Sequence, residues 1–535
     1  MMSNLRSLTP KHSDNARNAG FVILIILLIT WIFLSRIYKL DSAPAGRFFD
    51  ESSIGYNAIT ILRSGQDEHG APYPVYFKSV GDYKNPVYIY AVAIVFSLFG
   101  VSEFSLRFTS VLFFGVALFF GTLLISKIFS TRRIVVVFAL IAFGFLPMFF
   151  TLSRISFEII SQLAVVSALN FFIWMIFNNP TAASHWVRNG VACGFLLGLS
   201  TYTYTTQRLV SSLTLVVLWL VFYKRENFRK LLLISLIFFL ALVPFFIFAN
   251  GNPGVVTERF NELSYVDDPI PPLQKAGLFI QNYKSYWLPD FLIIHGDPNL
   301  RHSTGHGGVV FITVFILFIV SFPVVLARAR PRNFIYYVIA SLVLTPVPAA
   351  LITEGVPHAL RSMLMGFYIL LLSCYSVEWL VNARQYRALK TVLVTFLFFG
   401  LLFEAVNFEL DYFLSYPSRS VEDFGSFDFR SALEFSLEHE PQKVVAVGLP
   451  PGGDAHVKFY SEIIENPQGI PIELGEFVEP APGVCVLFHR KTDVESRLEQ
   501  YSLSYDGFVS KNKLGPFEKM FDTKKTSGMI KVRCY

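Results

Sequence analysis

The chain has 535 residues, 53% of them hydrophobic and 16% charged, and its mean hydropathy is +0.50. Soluble domains carry about 25% charged residues, so this composition excludes an ordinary soluble domain and places the chain in the membrane class. The net charge of +6 does not point to nucleic acid, because Lys and Arg stand in short clusters between apolar runs rather than along one basic face.

At the N-terminus, Arg6, Lys11 and Arg17 precede an apolar run at 21–34. A cleaved leader ending at Ala43-Pro44-Ala45 is the competing reading, but Arg36, Lys39 and Asp41 make the intervening gap too long and too polar. An uncleaved first span near 21–40 is expected. Further apolar runs follow near 107–126, 134–150, 158–177, 189–205, 209–223, 231–249, 307–326, 334–351, 358–380 and 391–408. Some fall short of the roughly 20 residues a span needs, and together they give about eleven crossings.

One more apolar run, 86–100, is ambiguous, and charge decides how it lies. Take the N-terminus as inside and let 86–100 stay on one face. Then Lys127, Arg132, Arg133, Arg188 and the basic clusters at 224–230, 327–332 and 382–390 all fall on the cytoplasmic side. If 86–100 crossed, all the later clusters would lie outside. This segment is therefore expected to be an aromatic-rich interfacial helix on the outer face, carrying Tyr88, Tyr90 and Phe96. The outer loops become 41–106, 151–157, 202–208, 250–306, 352–357 and 411–535. They hold most of the unusual polar residues, which near lipid belong where they line a watery or protein-lined cavity.

In the first outer loop, Asp50 and Glu51 open a short amphipathic helix. A carboxylate here suits deprotonation of an acceptor hydroxyl, and it equally suits the free N–H groups of a helix start. Asp82, Tyr83 and Lys84 follow, just ahead of the interfacial run. A lysine at headgroup depth can hold a phosphate or simply snorkel to water. Arg154 and Glu158, four residues apart, read as a helix ion pair or a polar cleft wall. Tyr202, Tyr204, Gln207 and Arg208 are denser in polar groups than membrane anchoring needs. His295, Arg301, His302 and His306 crowd one glycine-rich turn, and His358 and Arg361 share a helix face. No metal-binding spacing accompanies these histidines, so no metal or other cofactor is expected, with a divalent ion the reading the histidines leave open. Arginine forks suit phosphate oxygens.

From Asp411 onward the chain becomes charged. KVVAVGL (443–449) and GVCVLF (483–488) read as strands, HVKFYSEII (456–464) and DVESRLEQY (493–501) as helices, and GLPPGGD (448–454) as a turn without dinucleotide-loop spacing. The expected architecture is an all-α polytopic membrane module over 1–410 with a small extracytoplasmic α/β domain over 411–535. Cys193 and Cys374 lie in apolar runs as packing residues, and Cys485 and Cys534 lie where a disulfide is chemically permitted.

FDE at 49–51 and GDYKNPVYIYAVAIVFSLFGVSEFSLR at 81–107, in this order, resemble the GT-C superfamily of membrane glycosyltransferases. The likeness is strongest to bacterial relatives of the protein O-mannosyltransferases and of the lipid A aminoarabinose transferase, over roughly the N-terminal four-fifths of the chain. It implies a GT-C membrane module and a polyprenyl-phosphate sugar donor used with inversion. It further implies Asp50 as base or acceptor-orienting acid and Lys84 on the donor phosphate; Glu51 is expected to support Asp50 as the second catalytic carboxylate. Lys84-Asn85-Pro86 departs from the usual Lys-Pro-Pro, and Glu158 stands where many relatives have Asp. The expected phosphate-binding set is Lys84, Arg154, Arg208, Arg301, His358 and Arg361, with Tyr56, Asp82, Tyr83, Glu158, Tyr204 and His302 lining the cleft. The expected partners are this donor, membrane lipids and a protein, lipid or glycan acceptor, in the plasma membrane.

Two other functions compete. A transporter or flippase would spread polar residues through mid-span positions and repeat them between halves, whereas here they crowd one face. Another polyprenyl-phosphate-processing enzyme would share the arginines and histidines but gives no reason for the 49–107 motif string.

Overall fold

A computed structural model describes residues 10–130, 132–179, 184–328, 330–382, 387–425, 429–449, 452–475, 483–489, 505–506 and 530–534. Every apolar run read as a span forms a helix. Among the described residues, seven helices are long and apolar enough to cross a bilayer: Asn18–Ile37, Glu103–Ile128, Ile159–Phe177, Arg225–Gly251, Arg332–Ala350, Met363–Asn382 and Ala388–Leu414. Shorter apolar helices at Arg133–Phe145, Gln207–Phe222 and Ile312–Ala327, and the Trp186–Ser200 helix, account for the remaining runs. Arg133–Phe145 stops before Pro147, which has no N–H to continue the ladder and opens the Pro147–Leu152 helix instead.

Burial sorts the bundle. Ile159–Phe177 and Met363–Asn382 are apolar all round and have 83% and 78% of their spanning windows buried, so they form its centre. Asn18–Ile37 and Ala388–Leu414 have 17% and 11% buried and stand at the periphery. Their outward residues, including Leu27, Leu34, Phe396 and Phe403, form a lipid-facing surface.

Four N-terminal helices and one hairpin position the polar face. Helix α1 (Pro10–Ile37) leads into α2 (Phe49–Ser64), then a hairpin of β1 (Phe77–Ser79) and β2 (Asp82–Lys84), then α3 (Pro86–Phe99) and α4 (Glu103–Ile128). Both ends of α3 lie on the same face. Asn85, ahead of its first turn, bonds to Glu158, and Glu103, just after its end, meets Arg47, Arg430 and Tyr460. The 86–100 run is therefore a non-spanning helix.

The last long helix, Arg387–Leu414, runs past residue 411 and leads to the Tyr416–Phe424 and Phe429–Glu438 helices. Beyond them is a five-stranded sheet of order β4-β3-β5-β7-β6, with β3 at Lys443–Val447, β4 at Ile472–Gly475, β5 at Val484–His489, β6 at Tyr505–Asp506 and β7 at Ile530–Cys534. β3 pairs in parallel with β4 and β5, and β7 pairs antiparallel with β5 and β6. Cys485 and Cys534 face each other across β5 and β7 and are joined by a disulfide. The helix expected at 493–501 and residues 450–451 of the 448–454 turn lie outside the described residues. The Gly453–Ile463 helix packs along α2, and we call it the docking helix.

Candidate functional site

The polar face is built around the first turn of α2. Asp50 and Glu51 are neighbours in sequence and point to different surroundings. Glu51 is fully buried. It takes both forks of the Arg107 guanidinium at 2.9 Å, the Ser156 N–H at 2.9 Å and the Phe48 N–H at 3.2 Å. Burial pushes its carboxyl up, but Arg107, then Arg47 and Ser156, outweigh burial and its pKa lies below the ordinary value. Glu51 has no acceptor capacity aimed at a substrate. It fixes α2 against α4 and the 151–157 loop, and is not a second catalytic carboxylate.

Asp50 keeps 27% of its side chain exposed and meets the Lys84 Nζ at 2.6 Å, the lysine being 15% exposed. Burial pulls the Lys84 ammonium down, but Asp50, Glu158 and Asp82 outweigh it, and the net shift is upward. Lys84 therefore carries its charge at any physiological pH. Glu158 sits one residue ahead of the Ile159–Phe177 span and takes the backbone N–H and side-chain amide of Asn85, each at 2.7 Å. Burial raises its carboxyl to about 7 against the pull of Lys84 and Asn85. Arg208 donates to Val256 O at 2.7 Å, lies 3.4 Å from the Asn85 side-chain oxygen and stacks over Tyr76.

The opposite wall comes from the 250–306 and 352–361 segments. Arg301 lies 3.7 Å over the Phe48 ring, and burial lowers its pKa against the pull of Asp50 and Asp423. Asp297 lies beside two stacked imidazoles whose ring centroids are 4.3 Å apart. Its Oδ2 stands 3.2 Å from His302 Nδ1, 3.7 Å from His358 Nδ1 and 2.7 Å from the Ala359 N–H, which it accepts. Burial lowers both histidines, and for His358 the neighbouring His302, Arg361 and Arg301 add to it. Neutral imidazoles beside a carboxylate are what a divalent cation would need. Among the described residues these three are the group of His, Cys and acidic side chains whose ligand atoms lie mutually close, within 4.8 Å.

Tyr204 joins the two walls. Burial raises its hydroxyl to about 12, with Arg361, Glu158, Lys84 and Asp50 all acting on it electrostatically. Arg361 anchors to Glu354 O at 2.9 Å and remains half-buried. The 41–106, 202–208 and 250–306 segments, with Glu158, His358 and Arg361 just beyond 151–157 and 352–357, form this one constellation, and the C-terminal segment packs directly behind it. Asp50, Lys84, Glu158, Tyr204, Arg301, His302, His358 and Arg361 are brought together, with Asp82 adding charge from the edge of the hairpin.

Four expectations are corrected. Arg154 is fully buried and does not pair with Glu158. Its Nη atoms donate to the carbonyls of Ser35, Arg36, Tyr38, Lys39 and Ala43 at 2.6–3.1 Å. Those carbonyls lie at and just beyond the end of α1, where a helix leaves its last acceptors unpaired, and the five-donor fork satisfies them. Arg154 is thus a helix cap, sealed from solvent and with both Nη groups spent on these carbonyls. Tyr56 faces the docking helix, with the Lys458 Nζ 5.9 Å from its ring centroid, because positions 52, 55 and 56 share a face of α2. Tyr83 alternates away from Lys84 on β2 and rests edge-on against Phe248. The four-residue cluster in the glycine-rich turn divides: His295 pairs with Asp290 in solvent and His306 approaches Asp411, leaving Arg301 and His302 at the site. Asp297 and Asn85 were not singled out from the sequence. Asp297 stands in a Gly-Asp-Pro-Asn string whose reading is a turn, and nothing local marks its side chain as the acceptor for residues 62 positions away.

No protein-family model matches the chain, and no curated protein matches it by sequence. By structure it is similar to ArnT from Cupriavidus metallidurans bound to undecaprenyl phosphate, with a TM-score of 0.59 and 13% identity over 95% of this chain and 97% of that chain. The apo state of the same enzyme gives a TM-score of 0.56 and 14% identity over 97% and 98% of the two chains. The chain shares the fold of these two ArnT structures along nearly the whole length of both chains.

Proposed function

We propose that this protein transfers a sugar from a polyprenyl-phosphate donor to an acceptor hydroxyl at the Asp50–Lys84 site. The observation that carries the reading is the 2.6 Å contact between a partly exposed carboxylate and a lysine, at the junction of two cationic walls. The ArnT neighbour, which holds undecaprenyl phosphate, supports the class of donor.

The geometry gives each group a task. The donor phosphate draws the Lys84 ammonium from Asp50, with Arg361 and Arg301 on the facing wall and Arg208 at the edge. With the ammonium drawn onto the phosphate, the Asp50 oxygen it held is free to accept the acceptor hydroxyl, so arrival of the donor opens the base. Asp50 then takes the proton of the acceptor hydroxyl, whose oxygen attacks the anomeric carbon while the bond from that carbon to the phosphate oxygen breaks. The departing phosphate keeps that electron pair, and its growing charge is held by fixed cations in a partly dehydrated cleft. Attack opposite the leaving group inverts the anomeric centre. Neutral His302 and His358 can donate hydrogen bonds to sugar or phosphate oxygens. A divalent ion held by Asp297, His302 and His358 would add a Lewis acid on that wall, and the transfer runs without one.

The site and the C-terminal region face the extracytoplasmic side of the cell membrane, with the N-terminus inside. Basic residues at the opposite helix ends support this, as does the Cys485–Cys534 disulfide, which persists in oxidising surroundings. The test is incubation of purified protein with a panel of polyprenyl-phosphate sugars, with and without EDTA, and mass spectrometry of released polyprenyl phosphate. Release from one donor, unaffected by EDTA, is the expected result. No release from any donor with candidate acceptors present counts against the reading.

A further inference from the structure

The C-terminal region does not hang from the bundle. Its docking helix lies along α2, and the two meet through close and specific contacts. A Cβ on Gly55 of α2 would fall 2.5 Å from the Phe459 ring, so this glycine admits the aromatic side chain. On the other side of the interface, a Cβ on Gly452 would fall 2.6 Å from Phe49, the residue before Asp50. Ser52 Oγ and His456 Nδ1 share a hydrogen bond of 2.8 Å, and both residues are buried. Thus the docking helix touches α2 on either side of the Asp50–Glu51 pair.

A second line of contacts leads to Lys84. Lys458 Nζ meets Glu68 Oε2 at 2.7 Å. The other oxygen of Glu68 accepts from Ser79 Oγ at 2.5 Å and from Asn57 Nδ2 at 3.0 Å. Ser79 also bonds to Ser53 of α2, and across the hairpin it pairs with Asp82 in the strand that ends at Lys84. One helix therefore grips both halves of the ion pair: α2 through His456 and Phe459, and the hairpin through Lys458 and Glu68. The strands of this hairpin are three residues each, and its other anchors are Phe77 against Tyr90, Tyr83 against Phe248 and Asn85 on Glu158. A two-stranded ribbon of that size is not stable by itself.

We infer that the C-terminal region is a positioning element of the transfer site, fixing Asp50 and Lys84 relative to each other through His456 and Lys458 of the docking helix. The role of these groups in transfer rests on the function proposed above; the positioning itself does not. Neither His456 nor Lys458 touches a reacting atom in this account. Both act through Ser52 and Glu68. Small misplacements of reacting groups lower turnover far more than they lower binding.

The experiment uses the full-length protein and two readouts. In an Asp50→Cys/Lys84→Cys background, a short bifunctional thiol reagent reports how the two positions are held, and the two free cysteines, Cys193 and Cys374, are buried away from it. In the otherwise unaltered protein, kcat and donor KM report turnover. His456→Leu and Lys458→Met should each lower the cross-linking yield and reduce kcat by about 10²-fold, with little change in donor KM. His456→Asn and Lys458→Arg should restore both readouts, since each keeps the bonding group. Arg63→Ala, which removes an exposed ion pair with Glu462 elsewhere on the same interface, should change neither. Unchanged cross-linking in the Leu and Met variants overturns the inference, whatever happens to kcat. Altered cross-linking in a protein that releases no polyprenyl phosphate even as wild type upholds the positioning and overturns the glycosyl-transfer reading instead.

Discussion

Two ion pairs begin at adjacent residues of α2 and differ in almost every physical respect. Glu51–Arg107 has 0% exposure on both side chains, and every oxygen lone pair within reach of a donor is used. Asp50–Lys84 is equally close but 27% and 15% exposed, and Asp50 has one oxygen with room for another partner. Successive helical residues point about 100° apart, which turns one carboxylate into the bundle and leaves the other partly exposed. A sealed pair can only hold the structure together, whereas a partly exposed pair can be opened by a ligand that offers the lysine a better anion. On the function proposed above, chemistry and architecture are separated by one residue, and each substitution below probes one side of that division.

The largest effect is expected on the sealed pair. Glu51→Gln leaves the Arg107 guanidinium buried without its counter-charge, and breaking such a pair costs about 3–5 kcal/mol. Thermal unfolding of detergent-purified variant should show loss of the folded protein, and Arg107→Lys should not rescue it, because lysine lacks the planar fork. A Glu51→Gln protein of normal stability would remove the distinction between the two pairs.

Lys84→Ala ranks next and tests the open pair. A hydrogen bond to a charged group is worth about 1.5–3 kcal/mol, so donor affinity should fall by roughly 10- to 100-fold while the unfolding midpoint changes little. Direct binding of a polyprenyl phosphate is the measurement, and unchanged affinity would assign Lys84 to interfacial snorkelling.

The smallest effect concerns the support behind α2. Burial lowers the His456 imidazole to about 4 from an ordinary 6.5, with Glu51 pulling the other way. Ser52 from α2 and the rings of Phe429 and Tyr460 are its other neighbours. Above pH 6.5 it is neutral whether folded or unfolded, and stability is complete. As pH falls from 6.5 toward 4, the unfolded chain binds a proton that the folded chain refuses, so stability declines. The midpoint of the wild type should drop more steeply over this window than that of His456→Asn. Parallel curves would show that this histidine is not buried at the interface in solution.

Much of this was legible in the sequence, for identifiable reasons. Apolar runs and their basic flanks led to the helices and to the non-crossing α3, because lipid imposes length and charge asymmetry on any spanning segment. The FDE and Lys-Asn-Pro strings singled out Asp50 and Lys84, which the fold brings within 2.6 Å of each other. What failed were the cases where a polar residue near lipid had two possible employers. Arg154 looked like a phosphate ligand, but the end of α1, some 115 residues earlier, claims its donors. Spacing of four suggested an Arg154–Glu158 pair, yet the chain turns between them and the helix begins only at Ile159. Asp297 and the docking helix were invisible because their partners are set by tertiary packing rather than by local pattern.

The most direct test of the account is Asp50→Asn, measured for both unfolding and donor-dependent turnover in the same preparation. Asn keeps the size of the side chain and serves a helix start nearly as well. The account predicts a folded protein with a near-normal midpoint and turnover reduced by about 10²–10⁴-fold, the usual effect of removing a general base. A folded Asp50→Asn protein with near-normal turnover would contradict it and make Asp50, like Glu51, a structural residue.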